Sequence, residues 1–136
     1  MFEVIHEFAI LGTACFMMAL ATVWYSPMLF GNIWMKEVSL TEEMVEKTKP
    51  DMWKHMALTF GSYVVMLGLL ALVVAYAPLL SLSPLTAAGF LALFVAAGAV
   101  PTILFEGRSI TYYSIYVGFY VLFIILGVLI LQYWPW

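Results

Sequence analysis

Residues 110–133, ITYYSIYVGFYVLFIILGVLILQY, form a stretch of 24 residues without a charged side chain. A helix of that length can cross the roughly 30 Å of hydrocarbon in a bilayer, because each residue adds about 1.5 Å. Backbone polar groups in lipid must be satisfied within the segment, and a helix achieves this without a neighbour. The stretch therefore predicts a membrane-spanning helix.

Three further apolar runs of similar length precede it, over residues 8–25, 55–77 and 85–105. Of the 136 residues in the chain, 65% are hydrophobic and 10% are charged, whereas soluble domains carry about a quarter charged residues. A soluble domain of this size could not bury so much apolar surface, so lipid is the expected solvent. We expect an all-α fold, a polytopic membrane protein whose single domain, residues 1–136, is a four-helix transmembrane bundle.

The polar connector between the first two runs, residues 28–54, is predicted to lie in the cytoplasmic membrane interface. Apolar residues recur at helical spacing from Phe30 to Val38, which is typical of an interfacial amphipathic helix. Thr41 precedes two glutamates and is placed to cap a second short helix. The simpler alternative is a solvated connector without a binding role.

Prolines mark the predicted ends of the spans. Pro27 should end the first helix, because it cannot continue one. Ser83 and Pro84 are arranged as an N-cap followed by proline at the first helical position. Pro101 lies inside the third run and should kink it near its end.

All Lys and Arg residues fall in the first and third connections, at Lys36, Lys47, Lys49, Lys54 and Arg108. Four spans place these two connections on one side of the membrane. By the positive-inside rule that side is cytoplasmic, and both termini are outside. We expect a multi-pass protein of the cell (inner) membrane.

Residues 24–34, WYSPMLFGNIW, resemble the signature of a family of small prokaryotic membrane proteins, domain of unknown function 1761. The signature positions are Trp24, Tyr25, Ser26, Pro27, Leu29, Phe30, Gly31 and Trp34. Residues 36–43, 105–109 and 118–120 continue the resemblance. The family implies a four-span membrane protein and implies no activity.

Glu106 and Arg108 are the charged residues at the end of the third predicted span. Ionisable residues at membrane depth are costly and often functional. We therefore consider a polar pocket at the cytoplasmic end, formed by Glu106, Arg108, Ser26 and Tyr113. The alternative is that the charged pair only caps and anchors the helix at the interface.

Tyrosines line one face of the fourth helix at helical spacing, and buried hydroxyls need hydrogen-bond partners. The hydroxyls of this face and of neighbouring helices form either a pathway for a solute or a set of interhelix hydrogen bonds. These residues are Tyr116, Tyr120, Thr22, Thr59 and Ser62.

Small residues recur on the second and third helices, where they allow helices to approach closely in lipid. The predicted packing positions are Gly61, Gly68, Ala88, Ala92, Ala96 and Gly98. Their density on the third helix predicts that this helix is central, either within the chain or at a contact between chains.

No arrangement typical of an active site is visible in the sequence. No nucleophile has a neighbouring base, and no phosphate-binding loop or zinc motif occurs. Glu3, His6 and Glu7 form too sparse a set to predict a metal site. The net charge of −3 excludes a basic nucleic-acid surface. We predict no enzyme activity, no cofactor, no metal and no nucleic acid.

Three functions remain open. The first is a non-catalytic protein that acts through helix association, as a homo-oligomer or as an accessory subunit beside other membrane subunits in the lipid bilayer. The second is a small-solute or ion transporter or channel that works as an oligomer. The third is a membrane enzyme acting on lipid, which would need Glu106, Arg108 and His55 in one cleft.

Overall fold

The computed structural model of the chain describes residues 7–135. Within that range it contains seven α-helices and no strand. Their bounds are α1 Glu7–Trp24, α2 Gly31–Glu37, α3 Glu42–Thr48, α4 Met52–Tyr76, α5 Pro84–Gly98, α6 Val100–Leu104 and α7 Ile110–Gln132. Short 3₁₀ turns, Lys49–Asp51 and Ala77–Leu80, flank α4.

Four helical stretches of residues 7–135 are long and apolar enough to cross a membrane. They are Glu7–Trp24, Glu42–Leu80, Pro84–Leu104 and Ile110–Gln132. The predicted all-α fold with a four-helix membrane bundle is thereby confirmed. The polar connector contributes the short helices α2 and α3.

Serine and threonine caps begin the helices where the sequence predicts them. Ser83 lies before Pro84, and its hydroxyl oxygen accepts the N–H of Thr86 at 3.0 Å. Thr41 accepts the N–H of Met44 at 3.3 Å at the start of α3. These bonds satisfy N–H groups that have no partner inside the helix.

Prolines interrupt the spans as expected. Helix α1 ends at Trp24, just before the turn that contains Pro27, and the third span breaks at Ala99 into α5 and α6. Pro101 has no N–H to donate. Near the break, the Tyr113 hydroxyl donates to the Ala96 carbonyl at 2.6 Å. The Thr102 hydroxyl donates to the Ala99 carbonyl at 2.7 Å.

Helix α7 is the centre of the bundle, because it packs against α1, α4 and α5. In the most apolar 18-residue stretch of α7, 44% is buried inside the protein. The corresponding share for the span Pro84–Leu104 is 11%. The expectation that the third span is central is therefore wrong within the single chain. The physical reason is that bulky α7 side chains fill the core, whereas α5 buries only a narrow alanine face.

One close contact between helices inside the chain is made at Gly127 of α7, against α4. A Cβ there would lie 3.0 Å from Cδ1 of Leu70 and 3.1 Å from Cδ2 of Leu67. The predicted packing glycines Gly61, Gly68 and Gly98 have no such neighbour within 4 Å.

The predicted alanines differ from those glycines. Ala88 and Ala92 are buried on α5, and Ala96 is half-buried. Helix α5 packs mainly against α7. Thus the alanines pack within the chain, while the packing role of the three glycines stays a prediction about contacts beyond it.

Candidate functional site

The signature segment, residues 24–34, folds into a tight corner between α1 and α2. The Ser26 carbonyl accepts the N–H groups of Leu29 at 3.1 Å and Gly31 at 2.9 Å. A Cβ on residue 31 would overlap the carbonyl oxygen of Tyr25 and would lie 2.7 Å from that of Ser26. The corner therefore requires glycine at this position because two backbone segments meet there.

Aromatic side chains fix this corner to α7. The Trp24 ring lies 4.7 Å from that of Phe30 and 6.2 Å from that of Phe119. The Tyr25 ring lies 5.8 Å from Phe119 and 5.4 Å, edge-on, from Trp34. Phe119 is only 2% exposed. The signature residues thus hold the end of α1 and the start of α2 against the last span.

A hydrogen bond also joins Trp24 to α7 and fixes the orientation of the indole ring. The indole Nε1–H of Trp24 donates to the Ile115 carbonyl at 3.2 Å. The same ring lies across Gly118, where a Cβ would be 3.4 Å from Cζ2. Residues 118–120, which continue the family resemblance, are therefore in contact with the signature corner.

A second link joins the connector to the beginning of α7. The Ser109 hydroxyl donates to the Glu37 carboxylate at the end of α2. The Ser109 oxygen also accepts the N–H of Tyr112 at 3.0 Å and caps α7. Sequence reasoning missed Glu37, since nothing local marks it. Ser109 does precede an apolar run, which is a recognisable capping signal.

The structure places Tyr116 and Tyr120 together in a depression of about 420 Å³ between α4, α5 and α7. We call this depression the tyrosine groove. Its lining residues are Met66, Val95, Gly98, Ala99, Thr102, Tyr116 and Tyr120. None of them is charged, so the groove offers hydroxyls and aromatic faces only.

The tyrosines of α7 are ordered by ring contacts. Tyr112 and Tyr116 stack with centroids 5.9 Å apart, and Tyr116 meets Tyr120 edge-on at 5.1 Å. The Arg108 guanidinium lies over the Tyr112 ring at 5.1 Å, a cation–π contact. The Arg108 side chain therefore already has an aromatic partner at the start of α7.

Two further tyrosines, the signature residue Tyr25 and Tyr63, which the sequence did not single out, lie near Tyr120. Tyr63 of α4 is buried and meets Phe123 edge-on at 4.9 Å. Tyr25 follows the last residue of the first span. Burial raises the pKa of its hydroxyl, and the nearby hydroxyls of Tyr120 and Tyr63 raise it further.

The residues of the predicted polar pocket are not brought together. The Ser26 hydroxyl donates to the Val23 carbonyl at 2.7 Å, and Tyr113 donates to Ala96. Arg108 contacts Tyr112, and Glu106 is exposed. Ser26, Tyr113 and Arg108 thus each have a partner other than Glu106, and in the described range no hydrogen bond or ion pair joins them to Glu106.

The other hydroxyls of the predicted pathway lie outside the tyrosine groove. Thr22 donates to the Met18 carbonyl at 2.9 Å, and Thr59 donates to the His55 carbonyl at 2.7 Å. Ser62 donates to the Thr59 carbonyl at 2.7 Å. Each hydroxyl is satisfied by its own helix, as is common for serine and threonine in membrane helices.

Charges of the connector mostly pair with one another. The exposed ion pairs are Lys47–Glu43, Lys49–Glu46 and Lys54–Asp51. Exposed pairs at this spacing contribute little to stability. The pairing fits a solvated connector. Glu3 and His6 of the sparse acidic set lie outside the described residues.

Comparison with known proteins identifies the family but no activity. Residues 8–132 match the family described as protein of unknown function, DUF1761. No curated protein and no solved structure matches the chain. The family match covers nearly the whole chain and confirms the family that the sequence resembles. The chain therefore belongs to the DUF1761 family, as a small multi-pass membrane protein.

Proposed function

We propose that this chain acts through association of its spans in the membrane, as a homo-oligomer or as an accessory subunit of a membrane complex, and not as an enzyme. The observation that supports this is open space at two glycines of α4. If Gly61 or Gly68 carried a Cβ atom, that atom would have no side chain or neighbouring helix within 4 Å.

Gly61 and Gly68 lie two turns apart and therefore share one face of the helix. Val65 and Leu72, which are 63% and 41% exposed, complete this face. We call these four residues the α4 glycine face. In lipid, helices associate by close van der Waals packing at small residues rather than by a hydrophobic drive. The α4 glycine face has small residues and no packing partner at its two glycines within the chain, so it suits a close contact with a helix of another chain.

The orientation in the membrane is part of the proposal. Every lysine and arginine lies in the connector or in the loop before α7. We place those connections in the cytoplasm, both termini outside, and the protein in the cell membrane.

Transport of a small solute or ion by an oligomer is the second candidate, and the tyrosine groove favours it. The groove lies at the break between α5 and α6, and transporters commonly bind their substrates at discontinuous helices. Its lining contains no acid or base, which disfavours proton coupling.

A lipid-modifying enzyme has less support. Among residues 7–135, no hydrogen bond or ion pair connects Glu106, Arg108 and His55. That alternative would need the three in one cleft.

Association is tested by cross-linking and by a matched pair of glycine variants. In a Cys15→Ser chain, Val65→Cys places a lone cysteine on the α4 glycine face. We expect oxidation in membranes to link two copies if the chain is a homo-oligomer. The double substitution Gly61→Leu with Gly68→Leu should weaken association about tenfold or more, because bulk at both glycines separates the helices.

Gly89→Leu is the control, since its position is equally open but lies on another helix. It should leave association unchanged. For an accessory subunit, the same double substitution should release the partner during purification. Monomeric chains without any co-purifying subunit, or association that the double substitution does not change, would contradict the proposal.

A further inference from the structure

An apolar depression of about 580 Å³ lies between α4 and α5, next to the turn that joins them. Leu72 and Tyr76 of α4 line it on one side, and Phe90, Leu91 and Phe94 of α5 line it on the other. We call it the apolar groove. Its surface is almost entirely carbon, so it suits a hydrocarbon chain.

The apolar groove and the tyrosine groove follow one another along α5. Phe94 lines the first, and the next residue, Val95, lines the second. Met66 of α4 lines the second groove, and Leu72 and Val73 line the first. The two depressions are therefore successive parts of one seam, apolar towards the α4–α5 turn and hydroxyl-lined towards α6.

The length of the seam limits its occupant. Ala87 and Thr102 mark its two ends on the third span, and at about 1.5 Å per residue they are roughly 22 Å apart. One leaflet supplies only about 15 Å of hydrocarbon, half of the core. An acyl chain that stays in its own leaflet would fill part of the seam, whereas a longer chain would fill it.

The chemistry of the tyrosine groove limits the head of that occupant. The Thr102 hydroxyl donates to the Ala99 carbonyl, so the tyrosines supply the hydroxyls that can donate to a ligand oxygen. The rings of Tyr116 and Tyr120 offer faces for a flat group. No charged side chain lines the groove. A charged head would be costly there because nothing compensates its desolvation.

From these features we propose that the α4–α5 seam binds a lipid with a single long apolar tail and a neutral, oxygen-bearing ring as its head, the chemistry of an isoprenoid quinone. The tail lies in the apolar groove, and the head lies between Tyr116, Tyr120 and Thr102. The site lies within one chain and shares Leu72 with the α4 glycine face, so the two proposals are tested by separate measurements.

The test uses the purified chain in detergent and long-tailed ubiquinone as the probe. A ligand that binds the folded chain raises its unfolding temperature, and the rise grows with the logarithm of the ratio of free ligand to Kd. We expect saturable direct binding of long-tailed ubiquinone, a rise in unfolding temperature with its concentration, and weaker binding of decylubiquinone, whose tail is shorter. Phosphatidylglycerol, which is charged, should not displace the probe.

Two matched pairs of variants locate the site. Gly98→Leu fills the tyrosine groove from an open position, and Gly89→Leu adds the same bulk half a turn around α5. Tyr116→Phe with Tyr120→Phe removes both hydroxyls, and Tyr133→Phe removes one at the far end of α7, where Tyr133 is 74% exposed. Groove variants should bind at least about tenfold more weakly, and the controls should bind as wild type does.

Several results would overturn the proposal. These are the absence of saturable binding to the wild type, unchanged binding in both groove variants, or equal loss in Gly89→Leu. Displacement by phosphatidylglycerol at equal concentration would also overturn it, because it would mean that any lipid fills the seam. If Gly98→Leu fails to fold, the tyrosine pair still decides. Cross-linking through Val65→Cys is measured separately, so failure of either proposal leaves the other standing.

Discussion

The last span, α7, and the third span, α5 with α6, are alike in length and apolarity but opposite in their surroundings. The last span has 23 residues and the third has 21. In their most apolar 18-residue stretches, 44% and 11% respectively are buried inside the protein. Helix α7 contacts the other three spans, while α5 leaves most of its surface to lipid. The difference teaches that hydropathy identifies which residues leave water but not which neighbour they meet, because lipid and protein interior are equally apolar.

The contrast is clearest for one residue type. Phe119 of α7 is 2% exposed and touches the signature corner, whereas Phe90 of α5 is 61% exposed and lines the apolar groove. Substitutions matched between the two spans therefore separate residues that hold the fold from residues available to ligands.

The largest expected effect comes from removing these rings. Phe119→Ala should lower the free energy of unfolding by about 3 kcal/mol, because it empties a packed site. Phe90→Ala should change it by less than about 0.5 kcal/mol, since the ring faces lipid. Equilibrium unfolding in mixed micelles measures both values, and similar losses for the two would remove the contrast between the spans.

A smaller effect is expected at the glycines of the two spans. Gly127→Ala should cost about 1 kcal/mol, because its Cβ would press on Leu67 and Leu70, both buried. Gly89→Ala should be neutral or stabilise by less than about 1 kcal/mol, since the position is open and alanine favours helix. Thermal unfolding of both variants checks the signs, and destabilisation by Gly89→Ala would indicate a contact at the outer face of α5.

The smallest difference concerns the caps of the two spans. Ser83→Ala and Ser109→Ala each remove an N-cap worth about 1 kcal/mol. Ser109→Ala should cost about 1 kcal/mol more, because the hydroxyl also donates to Glu37. Trypsin should then cleave after Lys36 faster in Ser109→Ala than in Ser83→Ala. Equal cleavage rates would mean that Glu37 does not hold α2 in place.

Much of this architecture was predictable because the physics is local. The length of each apolar run, compared with the thickness of the bilayer, predicts the spans. Ser83 and Thr41 predict the starts of helices, and Pro101 predicts a break in the third span. The resemblance of residues 24–34 gave the family.

Contacts between distant residues were not predictable. The Glu37–Ser109 bond joins residues 72 positions apart, and the placement of Tyr25 and Tyr63 near Tyr120 depends on how the helices rotate. Ser26, Tyr113 and Arg108 looked free to form a pocket. Ser26 and Arg108 instead contact residues close in sequence, and Tyr113 bonds the Ala96 carbonyl of α5. Small residues predicted close contacts without indicating whether the partner is this chain or another.

The four-span topology is tested most directly by labelling intact cells with a membrane-impermeant maleimide. Cys15→Ser removes the native thiol, and one new cysteine is introduced by Glu46→Cys, Glu106→Cys or Ser81→Cys. We predict that only the Ser81→Cys chain reacts in intact cells, and that the other two react after the membrane is permeabilised. Reaction of Glu46→Cys and Glu106→Cys from opposite sides of the membrane would contradict the topology.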